Sequence, residues 1–321
     1  METPSGFDLD LTVRSHGFYD LAPWSYDPER RLLARPLQLA SGRAVAVEMT
    51  QAAGEGAGLA LRVAAEGRLS GSEAREVRAQ VRGCLALDED LAPFYARIME
   101  LEANPPLRPA LPRLAWAVER GAGRLLRSPT VFEDAVKMLC TTNCTWALTR
   151  VMVKNLVQSM GEPAPGGGRT FPTPAAMADR PERFYRDVVR AGYRAGAMRA
   201  IAREVASGAL DMERWRDPGL ATDALAERIR ELPGFGPYAT EHLLRLLGHH
   251  DHLALDSWTR GKLARLRAAR RPPTDRAMRR WYAPYGRFAG LAMWLEVTAD
   301  WFHFGAQAEG AGGSGARSPP G

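Results

Sequence analysis

The first hundred residues alternate short apolar segments with turns, a pattern typical of β-strands joined by tight connections. Strands are predicted over 31–39, 43–49 and 58–63, because these runs lie between turns that contain glycine and serine. Apolar residues at helical spacing then predict helices over 72–82 and 89–99. We assign residues 1–102 to a unit with a small antiparallel β-sheet and accompanying helices.

The pattern after residue 103 is helical. The periodicity of apolar residues is interrupted at Asn104, Pro105, Pro106 and Pro109, and this break predicts a domain boundary. Ser128-Pro129 then predicts a capped helix start, and the expected helices lie over 146–160, 174–178, 181–191, 195–207, 223–231, 237–247, 257–268 and 275–299. We assign 103–304 to an all-helical unit and 305–321, rich in glycine and serine, to a disordered tail. The fold class is mainly α with a small N-terminal antiparallel sheet, α+β.

Composition and charge limit the classes of protein to which this chain can belong. The chain has 321 residues, a formal net charge of +6 and a pI near 9.5, which permits binding to a polyanion without requiring it. No apolar run approaches the roughly 18 residues of a membrane span, and Met1–Gly6 lacks the basic and apolar regions of a signal peptide. These features predict a cytoplasmic protein that has no contact with a membrane.

Three cysteines, Cys84, Cys140 and Cys144, are too few for the four thiolates of an iron–sulfur cluster. The pair at Cys140 and Cys144 has no second pair that would complete a zinc site. We therefore interpret all three as ordinary thiols and predict that no iron–sulfur cluster and no other cofactor is required.

The segment Leu232–Tyr238 reads Leu-Pro-Gly-Phe-Gly-Pro-Tyr and lies between two apolar-periodic helices. Two glycines around one apolar residue allow a sharp turn and a close approach to another molecule. Pro237 then opens a helix whose first N–H groups point outward, as in a phosphate-binding site. The same residues are also compatible with a tight helix–helix turn that binds no ligand.

Eighteen residues after Tyr238, the run Leu253-Ala254-Leu255 delivers Asp256 to the start of a new helix. Asp is a favoured N-cap residue, so capping alone would explain it. The same carboxylate can also cap a helix and project into a cleft.

The hairpin together with Asp256 resembles the helix-hairpin-helix DNA glycosylase superfamily, in which a catalytic Asp follows the hairpin. Leu139–Asn143, Gly192–Ala195 and the stretch from Val81 to Tyr95 are similar to segments of 8-oxoguanine DNA glycosylases. The N-terminal sheet resembles a small domain that this branch shares with 3-methyladenine DNA glycosylase II. The resemblance covers about residues 80–300.

The resemblance implies a reaction. Asp256 would stabilise the positive charge that develops on the sugar as the base departs. Bifunctional relatives carry a Schiff-base lysine where this chain has Tyr238, and none of its lysines, Lys137, Lys154 and Lys262, lies in the hairpin. We therefore predict a monofunctional, water-using enzyme without lyase activity.

The resemblance also implies a base pocket. The family stacks the flipped base on an aromatic residue at the position of Trp294 and reads its edge with a glutamine at the position of Gly290. The glycine is a departure that disfavours 8-oxoguanine as the substrate. His242, one helical turn after Tyr238, is a second candidate for the pocket. Core packing is the alternative interpretation of both Trp294 and His242.

DNA contacts are implied at two further places. Gly234, Phe235, Gly236, Pro237 and Tyr238 would grip one strand through its backbone. Asn143 and Tyr193 would fill the gap and wedge the duplex, and Arg194 would contact the partner base left behind. Alternatively, Asn143 caps a helix and Tyr193 is a half-buried aromatic. Main-chain carbonyls near Leu232 and Phe235 would supply a site for a monovalent cation; no side-chain metal site is predicted.

The leading hypothesis is a monofunctional DNA glycosylase of base excision repair, acting on a damaged purine in double-stranded DNA. A second hypothesis keeps 8-oxoguanine specificity despite Gly290, and a third is a non-catalytic protein that binds damaged DNA. Asp256 discriminates between enzyme and binder, since a binder has no use for a carboxylate at the sugar. A bacterial, nucleoid-associated monomer is expected.

Overall fold

The computed structural model describes residues 1–51, 58–104, 111–268 and 273–302. The predicted boundary prolines Pro105, Pro106 and Pro109 and the predicted tail over 305–321 lie outside these residues. Within them the chain forms one four-stranded antiparallel sheet followed mainly by helices. The predicted α+β class is confirmed.

The sheet consists of β1 (Ser25–Asp27), β2 (Leu32–Gln38), β3 (Ala44–Gln51) and β4 (Leu59–Ala64), paired in this order. Leu33 lies opposite Met49, and both side chains are fully buried on one face, as the period of two residues requires. The three predicted strands are confirmed. The three-residue β1 was missed because so short a segment carries no alternation.

Fourteen α-helices lie in the described ranges. In chain order, α1 to α14 are Leu9–Val13, Gly71–Cys84, Ala92–Glu102, Ala115–Glu119, Val131–Thr141, Trp146–Met160, Pro174–Ala178, Glu182–Phe184, Ala195–Ala206, Thr222–Arg230, Pro237–Leu246, Ser257–Leu266, Asp275–Tyr282 and Ala289–Thr298. Short 3-10 segments lie at Gly17–Asp20, Gly192–Arg194, Glu213–Arg216, Ala283–Phe288 and Ala299–Trp301, and a π-helical turn lies at Tyr185–Val189. None of these helices combines the length and apolar composition that crossing a membrane requires.

The predicted cap of α5 at Ser128 is wrong. The hydroxyl of Thr130 accepts the backbone N–H of Glu133 at 3.2 Å and is the N-cap instead. Ser128 is fully buried, and its N–H donates to the Asp134 carboxylate at 2.9 Å. Ser128 and Thr130 are both residue types that cap helices. Because Ser128 is buried, Thr130 is the N-cap.

The single helix predicted over 275–299 is broken. Gly286 has φ 56° and ψ −129°, a conformation open to glycine but not to other residues, and Pro284 offers no backbone N–H two residues earlier. The chain therefore forms α13, a 3-10 segment and α14 in succession. The apolar residues keep helical spacing on both sides of the break, which is why the spacing predicted one continuous helix.

Two apolar cores lie in the described part of the chain. One core is built from the sheet, α2 and residues near the N-terminus, including Phe7, Val47 and Val81. The other is helical and also takes in α3, where Phe94 packs against Phe288 with ring centroids 5.2 Å apart. Helix α3 thus packs with the helices that follow it, although it precedes the predicted boundary after residue 102.

A buried ionic cluster joins the sheet to α5. Arg35 on β2 lies 2.9 Å from the Glu133 carboxylate, and Lys137 lies 2.6 Å from its other oxygen. Burial opposes the charge of Glu133, but Arg35 and Lys137 together lower the pKa of its carboxyl. Because separating such partners would leave a buried charge uncompensated, the cluster fixes α5 against the sheet.

Candidate active site

A cavity of about 650 Å³ opens where the ends of three helices meet. The C-terminal end of α5 and the N-terminal ends of α11 and α12 supply Thr141, Tyr238 and Asp256 to its wall. The N-terminal segment adds His16 and Phe18, which the sequence did not indicate. The volume lies within the range of roughly 300–1,000 Å³ that small-molecule sites occupy.

The hairpin between α10 and α11 uses its two glycines differently. Gly234 has φ +83°, and a Cβ there would lie 2.7 Å from Leu139 of α5, so this glycine is required by the turn and its packing. Gly236 has φ −86°, and a Cβ there would meet nothing within 4 Å. Gly236 therefore leaves a space beside the backbone that the fold itself does not fill.

Helix α11 begins without a side-chain cap. Gly236 is the N-cap and offers no side chain to the first-turn N–H groups, and Pro237 occupies the first helical position. Such N–H groups have no partner within their own helix. Phe235 and Leu232 anchor the hairpin from below, since both side chains are buried.

The carbonyls expected to hold a cation lie in this same turn. The Leu232 oxygen accepts the N–H of Phe235 at 3.1 Å, which closes the turn. A carbonyl oxygen has two lone pairs, so this bond leaves acceptor capacity. The cation site at Leu232 and Phe235 stays a prediction.

Asp256 caps α12 and lines the cavity at the same time. One carboxylate oxygen accepts the Thr259 N–H at 2.6 Å, which fixes the side chain. The other oxygen lies 3.9 Å from Nε2 of His242. The side chain is 22% exposed, so the carboxylate remains reachable from the cavity.

Tyr238 and His242 pack against each other on one face of α11, with their rings tilted by 50° and their centroids 4.4 Å apart. Burial raises the pKa of the Tyr238 phenol, and the nearby Asp256 charge raises it further. Burial and the positive charge of Arg245 hold the pKa of His242 well below its usual value. Both groups are therefore uncharged at neutral pH. The structure brings His242 to the cavity, as the sequence predicts.

Arg245 is a further residue of the cavity wall that the sequence did not indicate. It lies one turn beyond His242 and lines the cavity, although it is only 3% exposed. Its guanidinium carbon lies 4.4 Å from the centre of the Trp294 ring. The apolar residue on each side of Arg245 is compatible with a buried position. The chain has 40 arginines, however, and nothing in the sequence distinguishes this one from the others.

Trp294 belongs to the cavity wall and also to an aromatic cluster. The indole N–H donates to the carbonyl of Ser15 at 2.8 Å, and Trp258 and Trp301 lie 6.1 and 5.7 Å away between ring centroids. The ring is 7% exposed, and Arg245 lies over its face. Stacking of a flipped base on Trp294 stays a prediction, and most of the ring is already covered in the free protein.

Gly290 cannot carry a side chain of any kind. A Cβ at this position would lie 2.0 Å from the carbonyl oxygen of His252, and its N–H donates to His250 at 2.7 Å. The position at which the resembling family places a glutamine is therefore closed by backbone. If this chain reads a base edge, other residues do so.

The residues predicted to wedge DNA form one exposed cluster. Asn143 has φ 44°, and its amide donates to the Tyr193 hydroxyl at 3.3 Å. Tyr193 is 66% exposed, so the half-buried alternative for this aromatic is wrong. Asn143 lies outside the helix ends, where Thr142 is the C-cap of α5 and Thr145 the N-cap of α6, so the capping alternative is wrong as well.

Arg194 is buried in the free protein. Its side chain is 4% exposed, lies beneath the Tyr193 ring and donates to both the hydroxyl and the carbonyl of Thr142. In the free protein it supports the Thr142–Asn143 turn. A contact between Arg194 and a partner base stays a prediction.

The three lysines do not belong to the cavity wall. Lys137 is fully buried in the ionic cluster, Lys154 is exposed on α6, and Lys262 pairs with Asp300. None of the three lines the cavity. Across the described ranges there is also no group of three or more His, Cys, Asp or Glu side chains suited to a metal ion.

Solved structures with a similar fold include DNA glycosylases. A 3-methyladenine DNA glycosylase from Archaeoglobus fulgidus is 18% identical with a TM-score of 0.72, covering 94% of this chain and 98% of its own. An 8-oxoguanine glycosylase/lyase from Clostridium acetobutylicum is 16% identical with a TM-score of 0.67, covering 92% and 94%. The latter enzyme bound to double-stranded DNA with cytosine opposite 8-oxoguanine gives a TM-score of 0.65 at 16% identity, covering 92% and 93%.

No protein-family model and no curated protein sequence matches the chain. The likeness to the solved structures nevertheless extends over the sheet and the helices together, as their coverage shows. The predicted resemblance is thereby confirmed at the level of the fold. This chain has the fold of the 3-methyladenine and 8-oxoguanine DNA glycosylases to which it is similar.

Proposed function

We propose that this protein is a monofunctional DNA glycosylase that hydrolyses the N-glycosidic bond of a damaged purine flipped out of double-stranded DNA. The observation that carries the proposal is the position of Asp256. Its carboxylate lines a cavity of about 650 Å³ to whose wall the hairpin contributes Gly234, Gly236, Pro237 and Tyr238. A carboxylate in a cavity large enough for a purine, beside a turn that would bind a phosphate, suits this reaction.

Asp256 would act on the sugar. Departure of the base leaves positive charge on C1′, and a fixed carboxylate stabilises that charge more than it stabilises the neutral substrate. The 2.6 Å bond from Thr259 holds one oxygen, and the other remains free to orient or deprotonate the attacking water. His242 is neutral and 3.9 Å from that oxygen, so it does not neutralise the carboxylate.

The hairpin would hold one strand of DNA. Backbone N–H groups at the start of α11 would bind a phosphate, and the open space at Gly236 allows that phosphate to come close. Such contacts position the duplex without reading its sequence. Tyr193 and Asn143, exposed beside the cavity mouth, would fill the gap that the extruded nucleotide leaves.

Water, rather than an amine, would complete the reaction. Tyr238 stands where a Schiff-base lysine would be needed, and its phenol keeps its proton at neutral pH. The three lysines are buried, exposed elsewhere or paired. Imine chemistry requires an amine nucleophile at the sugar, so the product would be an intact abasic site.

The test is a panel of duplexes that each carry one lesion. Base release is measured by alkali cleavage at the abasic site, and strand cleavage is measured separately without alkali. We expect base release from at least one damaged purine and no direct strand cleavage. Tight binding to damaged duplexes without release of any base would instead support a non-catalytic DNA-binding protein. Release of 8-oxoguanine alone would support the 8-oxoguanine-specific alternative.

A further inference from the structure

Two nitrogen atoms in the cavity wall have no hydrogen-bond partner among the described residues. They are Nε of Arg245 and Nε2 of His242, and both atoms are buried. The two residues lie three positions apart on α11, so their side chains share one face of the helix. A buried polar nitrogen that lacks a partner costs free energy, which a bound hydrogen-bonding group would recover.

Arg245 is held rigidly in place. One of its terminal nitrogens donates to the carbonyl of Leu253 at 3.2 Å, and its guanidinium lies 4.4 Å from the centre of the Trp294 ring. Burial lowers the pKa of the guanidinium to about 10, which still leaves it charged at neutral pH. The cavity wall therefore contains a fixed positive charge.

The charges around this pair are few. Asp256 is the carboxylate that faces His242, and both Asp256 and Glu241 attract Arg245. His242 is kept neutral by its burial and by Arg245, and His16 adds to the effect from the N-terminal segment. A neutral imidazole offers one donor and one acceptor, whereas the guanidinium offers donors only.

We propose that Arg245 and His242 read the edge of the flipped base and select an uncharged purine that presents carbonyl or ring-nitrogen acceptors, while Arg245 excludes positively charged alkylated purines. This inference rests on the proposed function and concerns the substrate class of the same cavity. Oxidised and deaminated purines belong to the selected class. Purines methylated at N7 or N3 in DNA carry a positive charge and belong to the excluded class.

The selection has two physical causes. Arginine donors match the acceptors on a purine edge, and pairing them removes the cost of leaving Nε buried and unpaired. A cationic base would gain by lying over an aromatic face, but the face of Trp294 is already occupied by the guanidinium. Bringing a second cation into this buried site adds repulsion between like charges.

Binding to uncleavable duplexes tests the inference. Hypoxanthine, 8-oxoguanine, 7-methylguanine and guanine are each placed opposite cytosine on a 2′-fluoro sugar, because the fluorine resists formation of positive charge at C1′. We expect the wild-type protein to bind at least one of the first two lesions more tightly than guanine, and 7-methylguanine no more tightly than guanine. In Arg245→Gln, the preference for an uncharged lesion over 7-methylguanine should fall roughly tenfold to hundredfold.

Two variants accompany this measurement. Arg78→Gln removes an exposed arginine from α2, away from the cavity, and should leave the lesion preference unchanged. His242→Gln tests the second reader if Arg245→Gln does not fold, and it should also reduce the preference. A folded Arg245→Gln protein with the wild-type preference, or wild-type binding that is tightest for 7-methylguanine or equal for all lesions, overturns the inference.

The same lesions on ordinary deoxyribose separate the two proposals. If no base is released but the uncharged lesions are still preferred, the proposed hydrolysis fails while the selection by Arg245 and His242 stands. If 7-methylguanine is released faster than hypoxanthine and 8-oxoguanine, the enzyme is confirmed and the inferred selection is overturned.

Discussion

The free oxygen of Asp256 lies 3.9 Å from Nε2 of His242, while its other oxygen caps α12. The distance exceeds that of a hydrogen bond, so the carboxylate is oriented by the helix and not by the imidazole. One side chain thus serves helix α12 and faces the cavity. This dual position allows the two roles to be separated by substitution.

Asp256→Asn should lower the rate of base release about 10²- to 10³-fold while leaving DNA affinity unchanged or improved. Asn also caps helices well, so α12 should stay intact. Single-turnover base release and duplex binding check this expectation. Asp275→Asn removes an exposed carboxylate paired with Arg260 and serves as the control. A wild-type rate for Asp256→Asn would show that Asp256 serves only as a helix cap.

The reaction should leave an abasic site that borohydride does not trap on the protein. Tyr238 offers no amine, and the N-terminal amine donates to the carbonyl of Leu59 at 2.7 Å in the sheet unit. Gel electrophoresis of borohydride-treated reactions checks this. Tyr238→Lys places an amine beside Asp256 and should create a trappable adduct as a positive control. A wild-type adduct mapped to any amine contradicts the prediction.

The two hairpin glycines should respond differently to valine. Gly236→Val should fold normally, because its φ is ordinary and its Cβ meets open space, yet bind damaged and undamaged duplexes more weakly. Its salt dependence should change little, since no charge that releases counterions is lost. Gly234→Val should instead lower stability, by about 1–3 kcal/mol from its positive φ alone. Thermal unfolding and binding at several salt concentrations distinguish the two. Normal DNA binding by folded Gly236→Val would leave the hairpin as a simple turn.

Substitutions of the exposed Tyr193 and of the buried Arg194 beneath it should have different effects on the stability of the fold and on DNA binding. Tyr193→Ala should change stability by less than about 0.5 kcal/mol, because the ring is mostly in solvent, but it should weaken binding to damaged duplexes. Arg194→Met should destabilise the fold by about 1–3 kcal/mol, because Thr142 loses two buried hydrogen bonds. Urea unfolding measures both. A destabilised Tyr193→Ala would show that the ring serves the fold.

His16 should make folding sensitive to acid. Its Nδ1 accepts the N–H of Phe18, its Nε2 lies 2.6 Å from the carbonyl of Leu126, and burial lowers the pKa of the imidazole from 6.5 to about 4. Between these pH values the unfolded chain binds a proton that the folded chain excludes. The neutral imidazole of His16 therefore stabilises the folded state fully above about pH 6.5. This stabilisation, about 3 kcal/mol in the free energy of unfolding, is lost as the pH falls to about 4.

The comparison that isolates His16 is with His16→Gln, which keeps a donor for Leu126 but does not titrate. The free energy of unfolding in urea should fall more steeply for the wild-type protein than for this variant between pH 7 and pH 4. Parallel pH profiles would show that His16 is protonated equally in the folded and unfolded chains.

The local elements of this protein follow from its sequence. Alternation in 43–49 specifies a strand, Gly234 and Gly236 specify the turn, and Asp256 is identified by its spacing from the hairpin and its capping position. Such features depend on residues within a few positions of one another, so the sequence displays them directly. The same locality explains the error at Ser128, which passes every local test for a cap; within 275–299, by contrast, Pro284 and Gly286 were local signals of a break that the apolar periodicity outweighed.

Only the tertiary structure decided which side chains face the cavity. It placed Arg245 over Trp294, closed Gly290 against His252, buried Arg194 beneath Tyr193 and brought His16 from the N-terminal segment into the wall. The indole of Trp294 bonds to Ser15, a residue far away in the chain. Contacts of this kind arise from the packing of whole helices against each other, and no periodicity within one segment encodes them.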